Sequence, residues 1–197
     1  MTASATKPDS ISPKQKRIAV TADDAYIARL AAYAIVLSVL ESGIPSPIPG
    51  VKPGLANIVT LIALERMGWQ AAAWVSMLRI LGASIVLGGV FSPGFALSVA
   101  GGICSLIVLL ACQYLPRRYF GMVSLSLLSA VGHVAGQLLL ARLWLIPHDG
   151  IVYLIPLLSG MALVFGFVNG VIAERLLKQY PQPNHLASVE DLPPSSL

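Results

Sequence analysis

ESGIPSPIPGVKPGLAN, residues 41–57, parts the first two apolar segments of this 197-residue chain. Pro45, Pro47, Pro49 and Pro53 deny the stretch a helix, because proline lacks the backbone N–H and pushes its predecessor toward extended geometry. It also sets a carboxylate, Glu41, and an ammonium, Lys52, beside hydrocarbon. Irregular backbone at membrane depth survives only under protein cover or against a watery cavity. The stretch therefore reads as a structured, Pro-rich loop that dips toward a binding site.

Around this loop the chain is 56% hydrophobic and 11% charged, with a mean hydropathy of +0.77. Soluble domains carry about 25% charged residues, so a soluble fold is excluded. The net charge of +4 collects at the ends and in short loops. That placement suits membrane topology, whereas a nucleic-acid partner needs a continuous basic surface. Cys104 and Cys112 stand about two helical turns apart in one apolar run, too far for a disulfide. No signal peptide is expected, since the apolar onset follows Tyr26 without a small-residue cleavage site. A phosphate-binding loop, a G-x-S-x-G elbow, a CxxC pair and a metal-spaced cluster are all missing. No catalytic residue, metal ligand or cofactor is assigned on this reading.

The expected organisation is a transmembrane domain over residues 23–178 between two disordered cytoplasmic tails, 1–22 and 179–197. Six apolar segments fill the domain, at 26–40, 54–64, 71–90, 95–115, 122–146 and 151–176. The fold class is thus all-α integral membrane, with six transmembrane helices. The second segment is short, reaching roughly half of the ~30 Å hydrocarbon core at about 1.5 Å per residue. Either it takes in the 65–70 region, tilts little, or begins inside the membrane where the proline loop ends. Lys7, Lys14, Lys16, Arg17, Arg29, Arg66, Arg117, Arg118, Arg175 and Lys178 then share one face, which the positive-inside rule makes cytoplasmic. Gly132-x-x-x-Gly136 and Gly166-x-x-x-Gly170 allow close helix approach, read as packing within the chain. Ala28-x-x-x-Ala32, with Ala31 and Ala34 beside it, reads as a smooth face able to dock another membrane protein.

Polar residues inside the apolar segments carry the functional reading. A central arginine costs about 2.5–3.5 kcal/mol on insertion scales, so Arg79 needs a partner or a cavity. An ion pair with Glu41 satisfies it, and so does a clamp on a ligand anion. His133 and Gln137 lie four apart on one helix face, open to buried packing or to ligand contact. Asn57 either ties down the proline loop or faces the same ligand, and Asn169 reads as a bond to a neighbouring helix. Each group is expensive in lipid, and one shared cavity would solvate them together. Glu41, Lys52, Asn57, Arg79, His133 and Gln137 are therefore expected to line one polar, ligand-binding cavity.

The same residues carry a family resemblance. Glu41-x-x-x-Pro45, Pro49-Gly50-Val51-Lys52-x-Gly54-Leu55-Ala56-Asn57, Arg79, Ser98-x-x-Gly101-Gly102 and His133-x-x-Gly136-Gln137 resemble the Gx transporter family, also labelled heptaprenyl diphosphate synthase component I. Pro53 stands where that pattern has an aliphatic residue. The family is similar to the substrate-binding S components of energy-coupling factor transporters. The resemblance implies an S-component-like bundle in a bacterial inner membrane, with both termini inside. It also implies that a small-residue face on the first helix, matched here by Ala28 and Ala32, docks a transmembrane coupling subunit served by an ATPase. The synthase label implies prenyl-diphosphate chemistry, for which this chain carries no DDxxD motif.

Three functions remain open on these grounds. The first is capture of a small-molecule solute in an outward-facing pocket, with uptake energised by partner subunits, because the chain has no nucleotide-binding motif. The second is a membrane enzyme or accessory factor of isoprenoid or quinone metabolism. The third is a scaffold subunit in a membrane redox or flavin-maturation assembly. The topology is testable directly: Lys7→Cys should resist an impermeant thiol reagent added to intact cells, and labelling from outside would reverse the orientation.

Overall fold

The computed structural model describes residues 21–43, 54–114, 121–145 and 149–180. Apart from residues 21–22 and 179–180, both expected tails lie outside the described residues, as do most of the proline loop and Lys52. Thr21 starts the first helix through a capping box. Its hydroxyl oxygen accepts the Asp24 N–H at 3.2 Å, and the Asp24 carboxylate accepts the Thr21 N–H at 3.0 Å. From there α1 runs Ala22–Ser42. It is followed by α2 (Ala56–Met67), α3 (Trp69–Val86), α4 (Pro93–Cys112) and α5 (Met122–Leu140). A π-helical turn, Ala141–Leu145, extends α5, and a 3-10 turn, Asp149–Tyr153, leads into α6 (Leu154–Gln179). Every regular element among the described residues is helical.

Five of these helices are long and apolar enough to cross a membrane: α1, α3, α4, extended α5 and α6 with its leading turn. The second is not. The twelve residues of α2 reach only about 18 Å at about 1.5 Å per residue. Gly68 stops it with φ 86, a left-handed conformation that glycine adopts without a Cβ clash, and α3 begins at the next residue.

This short helix is the centre of the bundle. It packs on α1, α3 and α6 and touches α5. Seven of its residues are buried, including Leu61 and Ala63 with no exposed surface. A helix apolar all round is stable only when surrounded, which is the position α2 takes. Leu30 and Ala34 of α1, Ala72 and Val75 of α3, Leu109 of α4 and Ala173 of α6 complete the core around it. The outer faces carry Tyr33, Val36, Trp74, Ile85, Ile107 and Phe167, all exposed. So much exposed apolar surface is ruinous in water and ordinary against lipid.

Glycine sets the spacing of the second half. A Cβ at Gly136 would lie 2.6 Å from the Ala100 carbonyl oxygen, and one at Gly132 2.8 Å from a Val108 methyl, so α5 presses on α4. A Cβ at Gly170 would meet the Val123 Cα at 2.7 Å and the Ser126 Cβ at 2.9 Å, so α6 presses on α5. Both GxxxG stretches thus pack within the chain. At the far end Arg66 donates to the Tyr26 hydroxyl at 3.4 Å and to the Tyr180 carbonyl. The start of α1, the end of α2 and the end of α6 therefore meet at one end of the bundle.

The alanine face of α1 differs from its expected form. Ala28 and Ala32 are exposed, but Ala31 and Ala34 are buried, at 2% and 0%. At roughly 100° per residue the latter two fall on a neighbouring stripe, and that stripe turns into the bundle. The exposed surface is narrower than four alanines would make it.

Gly170→Val should destabilise the folded protein by about 1–3 kcal/mol through overpacking against α5 backbone. Gly160, with nothing within 4 Å of its Cβ position, should accept Ala with little change. Thermal unfolding in detergent reads both, and equal midpoints would contradict the α5–α6 contact described.

Candidate functional site

The site begins where α2 begins. Leu55 precedes its first turn and has no side chain able to cap it, so the first N–H groups need acceptors from elsewhere. Glu41, near the end of α1 and 6% exposed, supplies one: its Oε1 accepts the Leu55 N–H at 2.8 Å. The positive end of the α2 dipole stabilises a carboxylate in that position. From α6, the Asn169 side-chain amide donates to the Gly54 carbonyl at 3.1 Å. From α2 itself, the Asn57 amide donates to the Ser129 hydroxyl of α5 at 3.3 Å, and Ser129 shares a 2.6 Å bond with Ser105 of α4. Groups from α1, α5 and α6 thus hold the start of α2 inside the bundle.

Arg79 reaches the same space from the middle of α3 and is 8% exposed. The Glu41 carboxylate acts on it electrostatically, and Arg79 in turn acts on His133. A carboxylate and a guanidinium therefore sit in one field with an imidazole beside them. His133 projects from α5 over α4 at Gly101, where a Cβ would stand 2.7–2.9 Å from three ring atoms. The glycine makes room for the ring. Gly102 does the same for α3, since a Cβ there would meet the Ile80 Cδ1 at 2.6 Å.

These groups line a single cavity of about 460 Å³. Glu41, Asn57, Arg79, His133 and Gln137 all contribute to its wall. Five of the six residues expected to share a cavity therefore do so, and the sixth, Lys52, lies outside the described residues. Ala28 and Ala32 do not line it. Asn169 joins the lining, as do the hydroxyls of Ser38, Ser84 and Ser98. Phe95, Leu158, Met161 and Phe165 form an apolar side. The sequence reading placed Asn169 in helix packing only. Its position between Gly166 and Gly170, on the stretch where α6 comes closest to α5, was the available signal. The serines of the Ser105–Ser129 link carried none, because a helical serine can bond its own chain.

The described lining offers one carboxylate, one guanidinium, one imidazole and three side-chain amides. Those groups both donate and accept hydrogen bonds, and a solute that fails to pair with them would leave buried polar atoms unsatisfied. Mg²⁺ held against a diphosphate uses carboxylate oxygens, of which the described lining has only that of Glu41. Among the described residues no group of three or more His, Cys, Asp or Glu side chains gathers as a metal site.

Comparison with known proteins places the chain in a family. No curated protein and no solved structure matches the sequence. A family model described as heptaprenyl diphosphate synthase component I matches residues 30–176. That match runs from α1 through α6 and takes in every cavity residue named above, and the chain belongs to this family.

Proposed function

We propose that this protein is a membrane substrate-binding component that captures a small solute in the cavity lined by residues of all six helices. The observation that carries the reading is the convergence of Glu41, Asn57, Arg79, His133 and Gln137 on one cavity inside an otherwise apolar bundle. A structural ion pair alone explains Glu41 and Arg79, but it leaves 460 Å³ of lined space and three further polar side chains unaccounted for. In this reading Glu41 fixes the α2 end of the site, and Arg79 balances its charge. Asn57, His133 and Gln137 read the solute's polar edge, and Phe95, Met161 and Phe165 cover its apolar body. The protein sits in a bacterial inner membrane with both termini in the cytoplasm, and partner subunits supply the energy for uptake. The family description favours a second reading, a membrane component of prenyl diphosphate metabolism.

Native mass spectrometry of the detergent-solubilised protein tests the first reading. A discrete small molecule should copurify with the natural protein and be lost from Arg79→Ala. A hydrogen bond to a charged group is worth about 1.5–3 kcal/mol, or roughly 10- to 150-fold in affinity. Arg79→Lys should retain an intermediate amount, since it keeps the charge without the two-pronged geometry. Equal retention in all three proteins would remove the cavity reading.

Ala28 and Ala32 offer the exposed small-residue stripe on α1 as the contact for a transmembrane coupling subunit. Ala28→Trp should lower recovery of copurifying membrane partners while the protein stays folded. Unchanged recovery of every partner would leave that stripe facing lipid only.

A further inference from the structure

The turn between α3 and α4 holds an unusual backbone. Phe91 has φ 66, the one non-glycine residue with a positive φ among the described residues. A bulky aromatic side chain enters that left-handed region only when its surroundings impose it, and such residues cluster where ligands are clamped or gated. Here the conformation brings the Phe91 ring edge-on to that of Phe95, with centroids 6.4 Å apart and planes at 70°.

Phe95 stands at a junction. With Ser92 it lines the polar cavity, and the same two residues line an open surface groove along α4. Ala96, Val99, Ala100 and Ile103 of α4 form the floor of this groove, with Leu140 of α5 and Trp144 of the π turn along its edge. Its lining is apolar apart from Ser92, whose hydroxyl oxygen is already engaged by the Phe95 N–H at 3.1 Å. Ile103 and Trp144 are exposed on the face that meets lipid. A space lined with polar groups thus adjoins, at Phe95 and Ser92, an apolar groove on the lipid-facing side.

We infer that the molecule held in the polar cavity is an amphiphile, with its head among Arg79, His133 and Gln137 and a hydrocarbon tail in the α4–α5 groove. This rests on the reading of the cavity as a solute site and names the class of solute. The head carries no net charge, because the described lining already balances one carboxylate with one guanidinium and otherwise offers amides and an imidazole. The tail leaves the cavity beside Phe95, and the Phe91–Phe95 pair forms the gate between them. The two spaces share Phe95 and Ser92 as wall residues, and that adjacency is what distinguishes this groove from an ordinary lipid-facing furrow.

The test places the photoreactive residue p-benzoylphenylalanine at position 103 of the full-length protein, in place of exposed Ile103, and irradiates it in native membranes. Intact-mass analysis should show a discrete adduct distinct from the bulk phospholipids, lost in the Arg79→Ala background. Gln137→Leu, which removes a head contact without removing a charge, should lower the same adduct, so the result does not hang on how well Arg79→Ala folds. Adducts with bulk phospholipids alone, at equal yield in all three backgrounds, would overturn the proposal. So would a copurifying molecule that depends on Arg79 but never crosslinks at position 103. That last outcome leaves the cavity reading intact, whereas failure of the cavity reading itself appears as copurification indifferent to Arg79.

Discussion

The hydrogen bond from the Leu55 N–H to the Glu41 carboxylate, 2.8 Å long, supports the feature on which the rest of the bundle turns. A helix that starts inside an apolar bundle exposes N–H groups that lipid cannot satisfy. Glu41 meets that demand from the neighbouring helix, and Asn169 ties the adjoining Gly54 carbonyl from α6. The carboxylate brings a negative charge into the interior, which calls for a positive one, and Arg79 lies in its field. Polar backbone, carboxylate and guanidinium together create a volume that apolar side chains cannot fill without stranding them. The cavity is thus a consequence of starting α2 inside the bundle.

The two ends of the bundle then divide the work. Around the lower part of α2, Leu30, Leu61, Leu64, Val75 and Leu109 form a plain apolar core. Around its start, the same helices turn polar side chains inward. A packed apolar core beside a polar chamber holds the hydrogen-bonding groups in place, which is the preorganisation that the proposed capture of a solute calls for. Glycine completes the arrangement. Gly132, Gly136, Gly166 and Gly170 draw α4, α5 and α6 together, and Gly101 leaves a flat seat for the His133 ring.

Much of the candidate site was legible in the chain itself. Glu41, Arg79, His133 and Gln137 are polar residues in apolar segments, and the cost of leaving them in lipid argues for a shared refuge whatever the fold's details. The geometry that links them was not legible. Nothing in the one-dimensional pattern says that Asn57 reaches Ser129, that Asn169 holds Gly54, or that the Gly101 backbone lies under the His133 ring. Serine and asparagine in a helix have local partners available, so their presence carries no information about which distant group they choose. Ala31 and Ala34 make the same point for packing. Alanine suits an exposed smooth stripe and a buried close contact equally, and the neighbouring helices decide between them.

The sequence by itself determined an all-helical membrane protein, its apolar segments and the list of polar residues that lipid would reject. Those follow from transfer free energies and backbone sterics, which act residue by residue. Only the tertiary structure decided that the short second helix is the central one, with five longer helices around it. It also decided that the polar residues of several helices meet in one chamber, and that this chamber adjoins an apolar groove at Phe95. Those outcomes depend on how far each helix is rotated about its axis and how close its neighbours come. Both are set by contacts between residues remote in sequence, so no local pattern encodes them.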